Sequence, residues 1–144
     1  MAVKWYSEAA DVYTDEASGS QVTRLTHGAQ HSINVYMEQP CNTPDGRYIA
    51  VQRSVNVDPR MPPFDLGIAD LKTYKIAMVD EDCGGTMLGT SSYSGIVHYL
   101  RRNGELIRLD LATQRKQIVY EQWDLGAGFE FTIQSATPDL RYLI

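Results

Sequence analysis

Thr43-Pro44-Asp45-Gly46-Arg47-Tyr48-Ile49 returns ninety-four positions later as Thr137-Pro138-Asp139-Leu140-Arg141-Tyr142-Leu143. Half of that interval is forty-seven. Around the half-way offset, Ser92-Tyr93-Ser94-Gly95-Ile96-Val97-His98-Tyr99 again sets turn residues before an apolar strand, although the Pro-Asp pair is missing. Three strand starts therefore share one spacing, and a fixed spacing of this size marks a repeat architecture.

A second element recurs as Asp15-x-x-Ser18, Asp70-x-x-Thr73 and Asp110-x-x-Thr113, each between two short apolar stretches. Asp accepts hydrogen bonds from backbone N–H groups across a tight turn, and Ser or Thr adds a hydroxyl, so each reads as a hairpin. The strands flanking the last two are expected at 66–69 with 76–79 and at 106–109 with 117–120, where Val, Ile and Tyr favour extended chain. One repeat is then an inner segment, a Pro-Asp-Gly turn, a strand, a loop, a strand, an Asp-x-x-Thr turn and a last strand. That is a four-stranded meander of forty to fifty residues, the unit of a β-propeller, whose blades bury both faces only by stacking on neighbours. Helix is disfavoured: only 1–10 offers a short helical turn.

The expected fold is all-β, an incomplete β-propeller of four-stranded antiparallel blades, about three in number. A half-blade occupies 9–26, full blades 27–80 and 84–122, and a second half-blade 128–144. The first full blade carries an insertion at 54–64 with Asn56, Asp58, Pro59, Arg60, Pro62 and Pro63, a stiff surface loop of the kind that shapes ligand sites.

With 144 residues and 43% hydrophobic content the chain is long enough for a real core. A net charge of −5, with the basic residues scattered, gives no electrostatic pull toward nucleic acid or anionic lipid. No run of eighteen apolar residues occurs, so neither a membrane span nor a signal peptide is expected. Cys41 and Cys83 lie far apart without CxxC spacing and read as reduced thiols, which suits a cytoplasmic setting.

Four segments together resemble the oligogalacturonate lyases, seven-bladed propellers with TolB-like blades. They are Trp5-x-x-Glu8, the stretch from Asp15-x-x-Ser18-Gly19 through Val22-Thr23-Arg24-Leu25-Thr26, the 31–36 strand before Thr43-Pro44-Asp45-Gly46, and the run Arg102-Asn103-Gly104-Glu105-Leu106-Ile107-Arg108-Leu109-Asp110-Leu111-Ala112-Thr113. The resemblance covers nearly the whole chain and matches the N-terminal portion of the family. It implies β-elimination on pectin-derived oligogalacturonides, assisted by a divalent metal such as manganese. Removing the proton beside a uronate carboxylate builds negative charge there, which a metal or Arg must neutralise while a base takes the proton. The family's metal cluster lies in later blades, so this chain reads as a truncated form without them. Its catalytic residues are unassigned and no metal site is expected within it. The alternative reading is a non-catalytic scaffold for carbohydrate or protein binding.

The candidate substrate-binding residues are His31, Arg53, Arg60 and Gln30. His31 opens an expected inner strand near the channel where propellers bind ligands. Arg53 and Arg60 flank the inserted loop and suit a uronate carboxylate through bidentate hydrogen bonds. Gln30 would assist on the same strand, as would Gln39. His27 follows a strand end, whereas His98 sits among apolar neighbours and reads as a hydrogen-bonded structural histidine. Asp58, Asp65 and Glu38 offer carboxylates whose spacing fixes no pair. Gly84-Gly85 reads as a turn between blades rather than a phosphate cradle, because no helix with a Lys follows.

Closed propellers use four to eight blades. Either C-terminal blades are missing, or two chains exchange their complementary halves in a homodimer.

Overall fold

The computed structural model describes residues 3–9, 11–34, 40–58, 63–83, 89–90, 93–121, 137 and 139–142. Every described strand pairs antiparallel with its neighbour, and no helix occurs among the described residues. The all-β expectation holds, and the meanders are of the kind a partial propeller would have.

The first sheet is built from β1 (Trp5–Ser7), β4 (His31–Asn34), β5 (Tyr48–Ser54), β6 (Phe64–Asp70) and β7 (Lys75–Cys83), in the order β1-β7-β6-β5-β4. A second sheet runs β11-β10-β9-β8, from β8 (Gly89–Thr90), β9 (Ile96–Leu100), β10 (Leu106–Asp110) and β11 (Arg115–Tyr120). The remaining pair, β2 (Val12–Thr14) and β3 (Gln21–Thr23), stands as a separate hairpin. Both expected hairpins are present, with Ile68 opposite Ala77 and Leu109 opposite Lys116. The segment that offered a helical turn is instead strand β1, with Tyr6 opposite Ile76. Three residues at a sheet edge are fixed by the partner strand, and local spacing does not reveal that.

Side chains alternate across each strand. Ala50 and Ile68 face one side and join Phe64, Leu66, Val97, Tyr99, Ile107 and Leu109 in a core shared by the two larger sheets. Val51 and Ala69 face the other side, with Ile76, and are covered by Tyr6 and Leu25. The first sheet is thus buried on both faces along the middle of β5 and β6.

The turns obey the chemistry expected of them. The Ser18 amide donates to Asp15 Oδ2 at 2.8 Å, the Thr73 amide to Asp70 Oδ1 at 3.3 Å and the Thr113 amide to Asp110 Oδ1 at 3.0 Å. Each turn then passes through one left-handed residue, Gly19, Tyr74 or Gln114, with φ of 70°, 55° and 59°. The left-handed region costs an L-residue roughly 1–2 kcal/mol, partly offset by the greater freedom glycine has when unfolded. Tyr74→Gly and Gln114→Gly should therefore each raise stability by about 0.5 kcal/mol in urea unfolding, while Gly19→Ala lowers it. A fall in stability for both glycine variants would show that those side chains hold something other than the turn.

Gly95, with φ of 70°, sits where the sheets meet: a Cβ there would lie 3.0 Å from Thr43 Cγ2 and 3.2 Å from its Cα. The turn that opens β5 and the turn that opens β9 touch at this point.

Candidate functional site

The end of β5, the start of β6, the residue before β4 and part of β7 come together at one end of the first sheet. There Gln30, Arg53, Ser54, Pro63, Asp65 and Glu81 line most of a recess of about 220 Å³. Pairing sets the geometry, since Arg53 stands opposite Asp65 and His31 opposite Ser54.

Arg53 is the buried cation of this group, 4% exposed. Its Nη1 donates to Glu8 Oε1 at 2.6 Å and to the Tyr6 hydroxyl at 3.4 Å, whereas its Nε has no partner among the described residues. The other Glu8 oxygen accepts the His27 amide at 3.1 Å, so one carboxylate ties β1 to the chain on both sides. Burial raises the Tyr6 phenol above its ordinary range and the nearby Arg53 charge opposes that. Gln30 Nε2 donates to Asp65 Oδ2 at 3.1 Å across the recess.

Of the four residues chosen from sequence, Gln30 and Arg53 line the recess together. His31 is exposed beside it in register with Ser54 and is not part of its lining. Arg60 lies outside the described residues, as do Glu38, Gln39, Gly84 and Gly85. Asp65 joins the site, and Glu81 brings a second carboxylate. Glu8 and Tyr6 were not chosen. The signal for Glu8 was the Trp5-x-x-Glu8 motif, which carries no clue to a partner forty-five residues away.

The recess offers hydrogen-bond donors on Arg53 and Gln30 and acceptors on Asp65 and Glu81. Because Glu8 neutralises Arg53, the guanidinium works as a positioned donor more than as a free charge. A larger hollow of about 440 Å³ lies against the β10–β11 hairpin, lined by Arg108, Asp110, Thr113, Arg115, Lys116 and Gln117. It holds less promise, because Lys116 Nζ is committed to the Val79 carbonyl at 2.6 Å and the turn around it is open to solvent.

Among the described residues no three His, Cys, Asp or Glu side chains converge as metal ligands. His98 is buried opposite Arg108, whose charge repels a cation. The described residues do not fit a manganese site, and no chemical step is assigned to one. Cys41 and Cys83 are buried and form no disulfide, and burial pushes the Cys83 thiol well above its ordinary range, so Cys83 is not a nucleophile at neutral pH.

No family model and no curated protein sequence matches the chain. Solved structures do. An oligogalacturonate lyase in complex with manganese is 28% identical, with 83% of this chain and 31% of that one aligned at a TM-score of 0.59. The crystal structure of an oligogalacturonate lyase from Vibrio parahaemolyticus, 19% identical, aligns over 97% of this chain and 36% of its own at a TM-score of 0.66. The chain resembles the oligogalacturonate lyases and spans about a third of the length of these structures.

Proposed function

We propose that this chain is an oligogalacturonate lyase-like protein whose sheets are propeller blades that hold a pectin-derived galacturonate oligomer. The observation that carries the reading is the likeness to the manganese-bound lyase at 28% identity over most of this chain. The recess supports it chemically. Sugar hydroxyls need donors and acceptors side by side, which Arg53, Gln30 and Asp65 supply, and Arg53 Nε is a buried N–H that a ligand oxygen would satisfy.

The elimination step asks for more than this recess contains. A carbanion beside a uronate carboxylate needs unneutralised positive charge, and Arg53 has already given its charge to Glu8. The metal and base of a lyase would therefore come from residues other than the described ones, as in a truncated form lacking the catalytic blades. The recess then acts in binding, and a non-catalytic carbohydrate scaffold is the second reading that the Arg53–Glu8 pair favours.

Titration calorimetry with digalacturonate should show saturable binding, weakened about tenfold by Gln30→Ala through loss of one well-placed donor. Absence of binding by the folded wild type would sink the uronate reading. The unsaturated uronate chromophore, followed with and without manganese, separates the two forms of the proposal. Release on adding manganese assigns lyase activity to this chain, and flat traces with retained binding assign it the scaffold role.

A further inference from the structure

Arg53 stands in a row of three residues. Ser32 of β4 is directly opposite it on one side and Asp65 of β6 on the other. Residues paired across strands share a face, so all three lie on the face that carries Val51 and Ala69, beyond the apolar patch that Tyr6 and Leu25 cover. The recess is at this end of the sheet, and Arg53, Asp65 and Gln30 are in its lining.

Among the described residues, three buried side-chain polar atoms lack a hydrogen-bond partner, and two of them, Ser32 Oγ and Arg53 Nε, belong to this row. The third is His98 Nδ1, in the other sheet. A buried donor or acceptor left unmet carries the full desolvation penalty of that group, so such atoms are few and each has a cause. Here two of them are neighbours. The Cβ atoms of directly opposed residues on antiparallel strands lie about 4.5–5.5 Å apart, yet Ser32 Oγ and Arg53 Nε do not bond to each other. One offers a proton, and the other is a hydroxyl that can give or accept one.

Arg53 is held against turning elsewhere. Its Nη1 donates to Glu8 Oε1 at 2.6 Å and to the Tyr6 hydroxyl at 3.4 Å, and Glu8 is tied at its other oxygen by the His27 amide at 3.1 Å. Swinging the guanidinium to satisfy Nε within the protein would break an ion pair whose side chains are 4% and 18% exposed, and parting a buried pair is costly. The chain thus fixes an unmet N–H beside an unmet hydroxyl at the end of the sheet where the recess opens.

Resting on the sugar-binding reading of the recess, we propose that Ser32 and Arg53 form a subsite for one ring hydroxyl of the galacturonate oligomer, which accepts from Arg53 Nε and donates to Ser32 Oγ. A hydroxyl suits this place better than a carboxylate. The Arg53 charge that would offset the desolvation of a carboxylate is already paired with Glu8, whereas a hydroxyl is neutral and carries both a donor and an acceptor.

Titration calorimetry and urea unfolding of Ser32→Ala test this together. The hydroxyl that the variant deletes meets nothing in the free protein, so the urea midpoint should equal or exceed that of the wild type. Digalacturonate should bind about tenfold more weakly, through loss of one hydrogen bond. A residue with a merely structural role would not separate the two in this way. The methyl ester of digalacturonate keeps the ring hydroxyls and loses the carboxylate charges, so Ser32→Ala should weaken its binding by the same factor. A penalty confined to the acid form would place a carboxylate at Ser32 and overturn the proposal. Binding that Ser32→Ala leaves unchanged would overturn it too, and a lowered urea midpoint alongside would assign the two atoms to a buried water. If the folded wild type binds neither the acid nor the ester, the sugar-binding reading of the recess falls and the subsite with it.

Discussion

Asp80→Ala should cost the fold about 3 kcal/mol in urea unfolding, one of the two largest losses we expect from a single change. Asp80, on β7, accepts the Tyr99 hydroxyl at 2.5 Å and Arg101 Nε at 2.9 Å, with Arg101 Nη2 at 2.8 Å and Lys116 Nζ at 3.5 Å. Tyr99 is fully buried and its hydroxyl would lose its acceptor, so the loss includes the desolvation of a stranded donor. Among the described residues Arg101 would keep its pair with Glu105, at 2.7 Å. Burial alone would raise the Asp80 carboxyl, yet the Tyr99 and Arg101 bonds and the Lys116 charge hold it below its ordinary value. The carboxylate is therefore a net acceptor of stabilisation across the two sheets, present above the ordinary aspartate range and lost as acid titrates it. Arg101 and Lys116 are each partly exposed, which keeps the figure at the lower end for such networks. Tyr99→Phe should cost about 1 kcal/mol, and the double variant with Asp80→Ala less than the sum of the two. Additive losses would show that the contact carries no coupling and that the sheets are held by the apolar core alone.

The hairpins were legible in the sequence because their chemistry is local. The Thr73 amide bonds Asp70 and the Thr43 hydroxyl bonds Asp45 within three residues, so residue type and spacing suffice for the turns. The strands beside them were legible for a related reason, because the short apolar stretches expected at 66–69 and 76–79 flank the Asp70 turn and fall inside β6 and β7. The candidate site was half legible. Arg53 and Gln30 were chosen as polar residues at strand ends, but what neutralises Arg53 is Glu8, forty-five residues earlier, and what holds Gln30 is Asp65, thirty-five residues later. Neither distance leaves a trace in one sequence. Strand β1 was missed for the same reason, since its partner β7 lies some seventy residues on. The contact between Asp80 and Tyr99 is likewise a product of two sheets meeting, and no local pattern announces it.

His98 gives the second large effect, which is read in pH. From its apolar neighbours the sequence suggested a hydrogen-bonded structural histidine. The structure places it in β9 opposite Arg108, buried, with Nδ1 lacking a partner among the described residues, which corrects the hydrogen-bonded part of that reading at this nitrogen. Burial, and after it the Arg108 charge, lower its pKa from 6.5 to about 4. The unfolded chain takes up this proton as pH falls below about 6.5, while the folded chain resists until about 4. The stabilisation is thus full above pH 6.5, declines through the interval, and has been lost by about pH 4. Between pH 7 and pH 5 the wild type should lose about 2 kcal/mol from this group alone. His98→Gln, neutral throughout, should remove that slope while leaving the acid limb of Asp70, whose pKa of about 2 confines its loss to lower pH. Urea unfolding at the two pH values measures both. An unchanged slope in His98→Gln would mean that the imidazole finds an acceptor when protonated, and that the missing partner at Nδ1 is supplied in solution.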